Sequence, residues 1–305
     1  MNGKRVKLFL GVAGGFGVLG LMGVLSVGSL LTKPANRDIG EHSYSFEVTY
    51  EGAGEKECNG WIYWPSERWI RHHSEFGQPR GVVMLLHPLR GDRTDMTDRA
   101  WFLTEAGYVV FTFDLQAHGE NPGERITMGH LESQDALAAL QFLKRRFKSE
   151  GFKIAALGVS LGGAACLLGE RPLDADALVL EAVYTTVDKA VENRLAIRMG
   201  GLAKVLSPLL LWQIEPRLGV SRSQLRPVDA VSLVSCPLLV ISGSKDQRTT
   251  PSDSRALAKA APRGSQHWEI KGARHVDFHS FAGMEYENRI LEFLEEALHG
   301  KGNDG

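Results

Sequence analysis

The chain has 305 residues, 43% of them hydrophobic and 23% charged, enough material for one large α/β domain or two small ones and not the composition of a disordered chain. Thirty-five basic against 36 acidic side chains leave a net charge of −1, with no basic stripe interleaved with aromatics, so nucleic acid is not an expected partner. The three cysteines, Cys58, Cys166 and Cys236, are odd in number and far apart, which argues against a disulfide framework and against a Cys-x-x-Cys metal site.

The first element is Leu8 to Leu31, an uncharged stretch of 24 residues that follows Lys4, Arg5 and Lys7. As a helix it would reach about 36 Å, enough to cross a hydrocarbon core of about 30 Å. Residues 1–31 are therefore expected to be an N-terminal transmembrane anchor, with the basic residues in the cytoplasm and the remainder on the non-cytoplasmic side. The alternative is a signal sequence cleaved near Ser26-Val27-Gly28, which would leave a secreted protein. Residues 32–42, with Pro34, Asn36 and Gly40, read as a linker to a domain over 43–300.

Alternating patterns over Ser43 to Tyr50 and Cys58 to Trp64 predict an antiparallel pair at a sheet edge. Pro65 to Pro79 is polar; His72 and His73 have no third metal ligand nearby, and a surface loop is expected. Val82 to Leu86 is a continuous apolar run, hence a strand buried on both faces, and it ends at His87-Pro88-Leu89-Arg90-Gly91. Thr94 to Ala106 is a predicted helix and Tyr108 to Phe113 the next buried strand. Asp114 and His118 beyond it read as hydrogen-bonders that order a loop. Leu131 to Lys148 is a helix with Ala136, Leu140, Leu143 and Phe147 on one face, acids at its start and bases at its end.

Ile154 to Leu157 then runs into Gly158-Val159-Ser160-Leu161-Gly162, followed by small residues that predict a helix. This is the strand, sharp turn and helix setting of a G-x-S-x-G nucleophile elbow, with glycines where a Cβ would collide. Ser160 would stand at the tip, and the N–H of Leu161, at the start of a helix, would face a developing oxyanion. In an α/β-hydrolase the second donor is a backbone N–H from the loop after a strand placed like Val82 to Leu86; Pro88 has no N–H, so Leu89 would take that place here. Ala177 to Leu180 is another buried strand. About fifty residues follow before the next one, so residues 184–234 are expected to hold an inserted cap whose apolar part is Leu202 to Ile214.

Pro237 to Ser242 resumes the sheet and opens into Gly243-Ser244-Lys245-Asp246. Gln266 to Ile270 precedes Gly272-Ala273-Arg274-His275. Asp246 and His275 each follow a strand's carboxyl end, whereas Asp253 lies where Pro251 and Ser252 begin a helix, and a capping role accounts for it. Ser160, Asp246 and His275 come in the chain order of an α/β-hydrolase triad, each after a separate strand.

From about Gly81 to the terminal helix, Ala282 to His299, the chain resembles the α/β-hydrolase superfamily, and within it the serine aminopeptidase-like and monoacylglycerol lipase-like hydrolases. His87-Pro88-Leu89, Asp114 with His118-Gly119, the elbow, Gly243 to Asp246 and Gly272 to His275 carry the likeness; Pro88 departs from the usual His-Gly. The resemblance implies a mostly parallel central sheet with helices on both faces and an inserted helical cap, and covalent acyl transfer without cofactor or metal. In it Ser160 is the nucleophile, His275 the general base, Asp246 its orienting acid, and the Leu161 and Leu89 amides the oxyanion donors. A small-molecule carboxylic or acyl ester is the first expected substrate. A peptidase-like amidase or an acyltransferase is the alternative, and a non-catalytic binding module on the same fold is a third reading.

Overall fold

In the computed structural model the described residues are 22–23, 25–40, 42, 44–72 and 78–300. An eight-stranded sheet runs through the molecule: β1 (Phe46–Glu51), β2 (Glu57–Tyr63), β3 (Val82–Leu86), β4 (Val109–Phe113), β5 (Ile154–Val159), β6 (Ala177–Glu181), β7 (Leu238–Gly243) and β8 (Gln266–Ile270). Their spatial order is β1-β2-β4-β3-β5-β6-β7-β8. β1 pairs antiparallel with β2 and β2 with β4, while every pairing from β4 onward is parallel. The predicted edge hairpin and the continuous apolar runs therefore occupy the edge and the interior of one sheet.

The interior strands are predominantly apolar because both faces are covered, and β3 is apolar throughout. Along β3, Val82, Met84 and Leu86 face one core, and Val83 and Leu85 face the other, as the two-residue strand period requires. The first core is closed by α3 (Glu132–Arg146) through Ala136, Ala139, Leu140 and Leu143. The second is closed by α2 (Thr97–Glu105) and by α10 (Met284–His299), whose Tyr286, Ile290, Phe293 and Leu294 recur at helical spacing. The short α4 (Leu161–Ala165) leaves the end of β5, and α8 (Pro251–Ala260) follows β7.

Between β6 and β7 lie α5 (Val187–Met199), a 3₁₀ turn at Gly200–Leu202, α6 (Ala203–Leu211) and α7 (Ile214–Leu218). The apolar part of this insertion is two-sided: Leu210, Leu211 and Ile214 are buried, whereas Val205, Leu209 and Trp212 are exposed. α1 (Glu67–His72) occupies part of the stretch expected as a loop, because the Ser66 hydroxyl accepts the Trp69 N–H and starts a turn. His73 lies outside the described residues.

Most of the expected span Leu8 to Leu31 also lies outside the described residues, and among the described residues no helix is long and apolar enough to cross a membrane. Its described end is helical over residues 25–32 and rests on the insertion, where Arg217 donates to Leu25 O at 3.1 Å and to Ser29 Oγ. The stretch after it is tied to the domain: Ala35–Asn36 pairs in parallel with His118–Gly119, and Arg37 bridges to Asp92.

At the N-terminal part of α3, Asp135 is buried and accepts the Gln116 N–H at 2.8 Å. Burial, with the Glu132 charge beside it, pushes its carboxyl up to about 7. An unfolded aspartate titrates near about 4, so folding takes up a proton between these values and stability falls as pH rises through that window. Asp135→Asn, which keeps the acceptor, is expected to gain stability over the parent at pH 8 and much less at pH 5. Urea melts at the two pH values check this, and an equal difference at both contradicts it.

Candidate active site

Ser160 sits between β5 and α4 at φ +51° and ψ −102°, a conformation that a non-glycine residue holds only under constraint. The constraint comes from both sides. The Ser160 N–H donates to Glu181 O at the end of β6 at 2.7 Å, and the Ser160 carbonyl accepts from Ala164 N at 3.0 Å. The flanking glycines are required sterically: a Cβ on Gly158 would lie 2.5 Å from Gly163 N, and one on Gly162 would lie 2.4 Å from Leu86 O. Gly162 thereby presses the elbow against the end of β3, directly before His87-Pro88-Leu89.

That neighbouring loop is held by His87. Burial pushes its imidazole down to about 3, so it is neutral, with Nδ1–H donating to Pro88 O at 2.8 Å and Nε2 accepting the Leu115 N–H at 3.0 Å. The turn continues with Arg90 at φ +65° and Gly91 N donating to Pro88 O at 3.0 Å. Arg90 reaches out to the carbonyls of Leu30 and Lys33. Among the described residues no acceptor meets the N–H of Leu89 or of Leu161, and the latter opens a helix whose first amides have no partner within it. Asp114 and His118 are structural. Asp114 accepts Arg93 Nη1 at 2.7 Å, Arg93 N at 2.8 Å and Glu120 N at 3.0 Å, and burial pushes it up to about 6; His118 Nδ1 donates to Gln116 O at 2.9 Å.

Asp246, after β7, is buried and accepts four hydrogen bonds. Oδ1 takes Arg248 N at 2.7 Å and Thr249 N at 3.0 Å; Oδ2 takes Thr249 Oγ1 and His275 Nδ1, each at 2.7 Å. Burial alone would raise its pKa, but His275 and the Thr249 donors outweigh it and hold the carboxyl below the usual range. The bond places the proton of a neutral His275 on Nδ1 and leaves Nε2 as the basic nitrogen. The rivals are engaged elsewhere: Asp253 closes a capping box with Thr250 at the start of α8 and accepts Asn193 Nδ2 at 2.7 Å. His267 Nε2 meets Ser242 Oγ at 3.0 Å, and His279 Nε2 meets Glu287 at 2.8 Å. Asp246 and His275 are thus in direct contact. Ser160 lies on the same carboxyl edge of the sheet, two strands from Asp246, with Leu161 beside it and Leu89 on the adjacent strand end.

A family model described as serine aminopeptidase, S33, matches residues 77–227, across β3, the elbow and most of the insertion. The chain belongs to the α/β-hydrolase superfamily. This α/β-hydrolase is 30% identical over 200 residues to the alpha/beta hydrolase domain-containing protein WAV2 of Arabidopsis thaliana, covering 61% of this chain and only 60% of that protein. It is 23% identical over 246 residues to an uncharacterized 31.7 kDa protein of Escherichia coli, covering 67% and 86%. In structure it matches an esterase of Pyrococcus furiosus with a TM-score of 0.69 at 19% identity, over 88% of this chain and 98% of the other. A Xanthomonas campestris α/β serine hydrolase without a lid gives 0.56 at 15% identity, over 85% and 97%. At these identities the structural likenesses show the fold.

Sequence reasoning does not reach the buried charges behind the elbow. Glu181 ends an otherwise apolar strand and is fully buried against Arg99 and Tyr286; its only linear signal is a charge closing the run Ala177 to Leu180. Asp246→Asn is expected to lower kcat by about three powers of ten or more, because an amide favours the wrong imidazole tautomer. Asp253→Asn, which still caps α8, is expected to stay within a few-fold of the parent. Steady-state kinetics on one activated ester compare the two, and the reverse ranking would contradict the assignment.

Proposed function

We propose that this α/β-hydrolase cleaves a small-molecule carboxylic or acyl ester through a Ser160–His275–Asp246 triad and an acyl-enzyme intermediate. The observation that carries the reading is the Asp246–His275 hydrogen bond at the sheet edge where the strained Ser160 turn also ends. His275 Nε2 removes the Ser160 hydroxyl proton as Oγ attacks the ester carbonyl, and the buried Asp246 carboxylate stabilises the imidazolium that forms. The N–H groups of Leu161 and Leu89 receive the oxyanion. Collapse expels the alcohol, which takes the proton from His275. Water, deprotonated by His275, then attacks the acyl-enzyme; the acyl–Oγ bond breaks, the carboxylic acid leaves and His275 returns the proton to Ser160 Oγ, so the chemistry requires no metal or cofactor.

An ester is favoured because an alkoxide leaves more readily than an amine, and structural relatives include an esterase of Pyrococcus furiosus. The description of the matching family, serine aminopeptidase, supports an amide substrate as the second reading. For location, the uncharged stretch Leu8 to Leu31 after three basic residues supports a single-pass anchor with the catalytic domain on the non-cytoplasmic side, the rival being secretion after cleavage. Retention in the membrane after alkaline extraction fits the anchor, and release of a shortened chain fits the rival.

Ser160→Ala is expected to retain less than about one per cent of the parent's turnover with a melting temperature within a few degrees of the parent, since it deletes the attacking atom of a buried side chain whose hydroxyl has no hydrogen-bond partner among the described residues. p-Nitrophenyl esters of graded chain length, run beside aminoacyl-nitroanilides, read bond preference in the same assay. Faster cleavage of the anilides would overturn the ester reading, and undiminished turnover in Ser160→Ala would overturn the triad.

A further inference from the structure

Behind the elbow, one guanidinium joins the two halves of the site. Arg99, on α2, is 1% exposed. Its Nη2 donates to Glu181 Oε2 at 2.9 Å, its Nε to Tyr286 Oη at 3.0 Å and its Nη1 to Asp277 Oδ2 at 2.5 Å. The Tyr286 hydroxyl donates onward to the other oxygen of Glu181, and its ring centroid lies 5.2 Å from the Arg99 guanidinium carbon.

Each acceptor has a second connection. Glu181 is the residue whose backbone carbonyl receives the Ser160 N–H, so the strand end that carries its carboxylate also anchors the serine. Asp277 is two residues beyond His275, in the loop that leaves β8, and its Oδ1 accepts Ser280 N at 2.7 Å to cap the five-residue helix α9 (Phe278–Ala282). Stability alone does not account for this arrangement. A buried ion pair seldom outperforms apolar side chains of the same volume, and the Asp277 side chain, 42% exposed, would be hydrated without its partner. What a guanidinium supplies that an apolar side chain does not is a rigid planar fork that fixes the separation of its acceptors. Here those acceptors are the base of the nucleophile's turn and the loop of the general base.

We propose that Arg99 is a positioning residue for the triad: through Glu181 it holds the turn that presents Ser160, and through Asp277 it holds the loop that presents His275. The inference rests on the triad reading above and adds to it a device that sets the distance between nucleophile and base. Misplacement of a base by about 1 Å costs rate far more than it costs binding, so the signature of lost positioning is a fall in kcat at nearly constant KM.

The test leaves the buried Arg99–Glu181–Tyr286 group intact and cuts only the arm to the histidine loop. Asp277→Ser keeps a hydroxyl to cap α9 but is too short to reach Arg99; Asp277→Asn keeps both the cap and an acceptor for Arg99. With p-nitrophenyl butyrate, Asp277→Ser is expected to lose at least about tenfold in kcat with KM within about twofold and a melting temperature within a few degrees of the parent, and Asp277→Asn to recover most of that loss. Labelling by a fluorophosphonate should slow in parallel. An Asp277→Ser enzyme with kcat within twofold of the parent overturns the inference, and so does a loss of kcat that disappears when the assay is run well below a lowered melting temperature. Ser160→Ala in the same assay separates the two levels: if turnover survives there, the triad reading fails. If turnover is lost there but Asp277→Ser is unaffected, only the positioning role fails.

Discussion

The contact between Gly162 and the Leu86 carbonyl is the constraint on which the site depends. It allows the elbow to lie against the end of β3, and from that approach follow the left-handed turn at Ser160, the start of α4 at Leu161 and the adjacency of the Pro88–Leu89 loop. No side chain larger than hydrogen fits there, because the obstacle is backbone on a central strand and backbone in a close-packed sheet cannot retreat. The strain at Ser160 is held by hydrogen bonds on either side of it, one to β6 and one within α4, so the turn has no cheaper conformation to relax into.

Around this constraint two buried arginines each gather carboxylates into a separate group. On one side Arg93 pairs with Asp114 and Glu120, lies 4.5 Å from the centroid of the Trp61 ring, and orders the loop after β4, which in turn supports His87. On the other side Arg99 pairs with Glu181 and Asp277. Each group takes ions out of water at considerable cost, and each is tied by several hydrogen bonds, the condition under which such a cost is offset. Both lie next to loops that carry candidate site residues, one beside Leu89 and the other beside Ser160 and His275. The insertion, by contrast, contains one apolar helix, α6, with a buried and an exposed side, and the described end of the N-terminal apolar stretch is attached to the insertion through Arg217.

Much of the architecture is legible in the linear sequence because it rests on periodicity and local sterics. Continuous apolar runs mark Val82 to Leu86 and Ala177 to Leu180 as strands covered on both faces, and the sheet buries them so. The glycine spacing around Ser160 announces a turn too tight for side chains, and Pro251 with Asp253 announces a capped helix. Where the pattern is weak the reading slips: one hydroxyl, Ser66, makes a helix of Glu67–His72 inside a polar stretch, and Ala35–Asn36 pairs with a loop 83 residues further on that no local signal indicates.

By itself, then, the sequence determined which residues end strands and therefore which side chains, Ser160, Asp246 and His275 among them, stand at the carboxyl edge of the sheet. Position after a strand is a local property, written in the alternation of apolar runs and turn residues. Only the tertiary structure decided which of these groups touch. That the Asp246 carboxylate hydrogen-bonds the His275 ring, that His87 is neutral, and that Arg99 reaches both Glu181 and Asp277 depend on contacts between residues distant in the chain. Their hydrogen bonds and desolvation exist only once the sheet has brought those strand ends together, and no spacing along the chain encodes them.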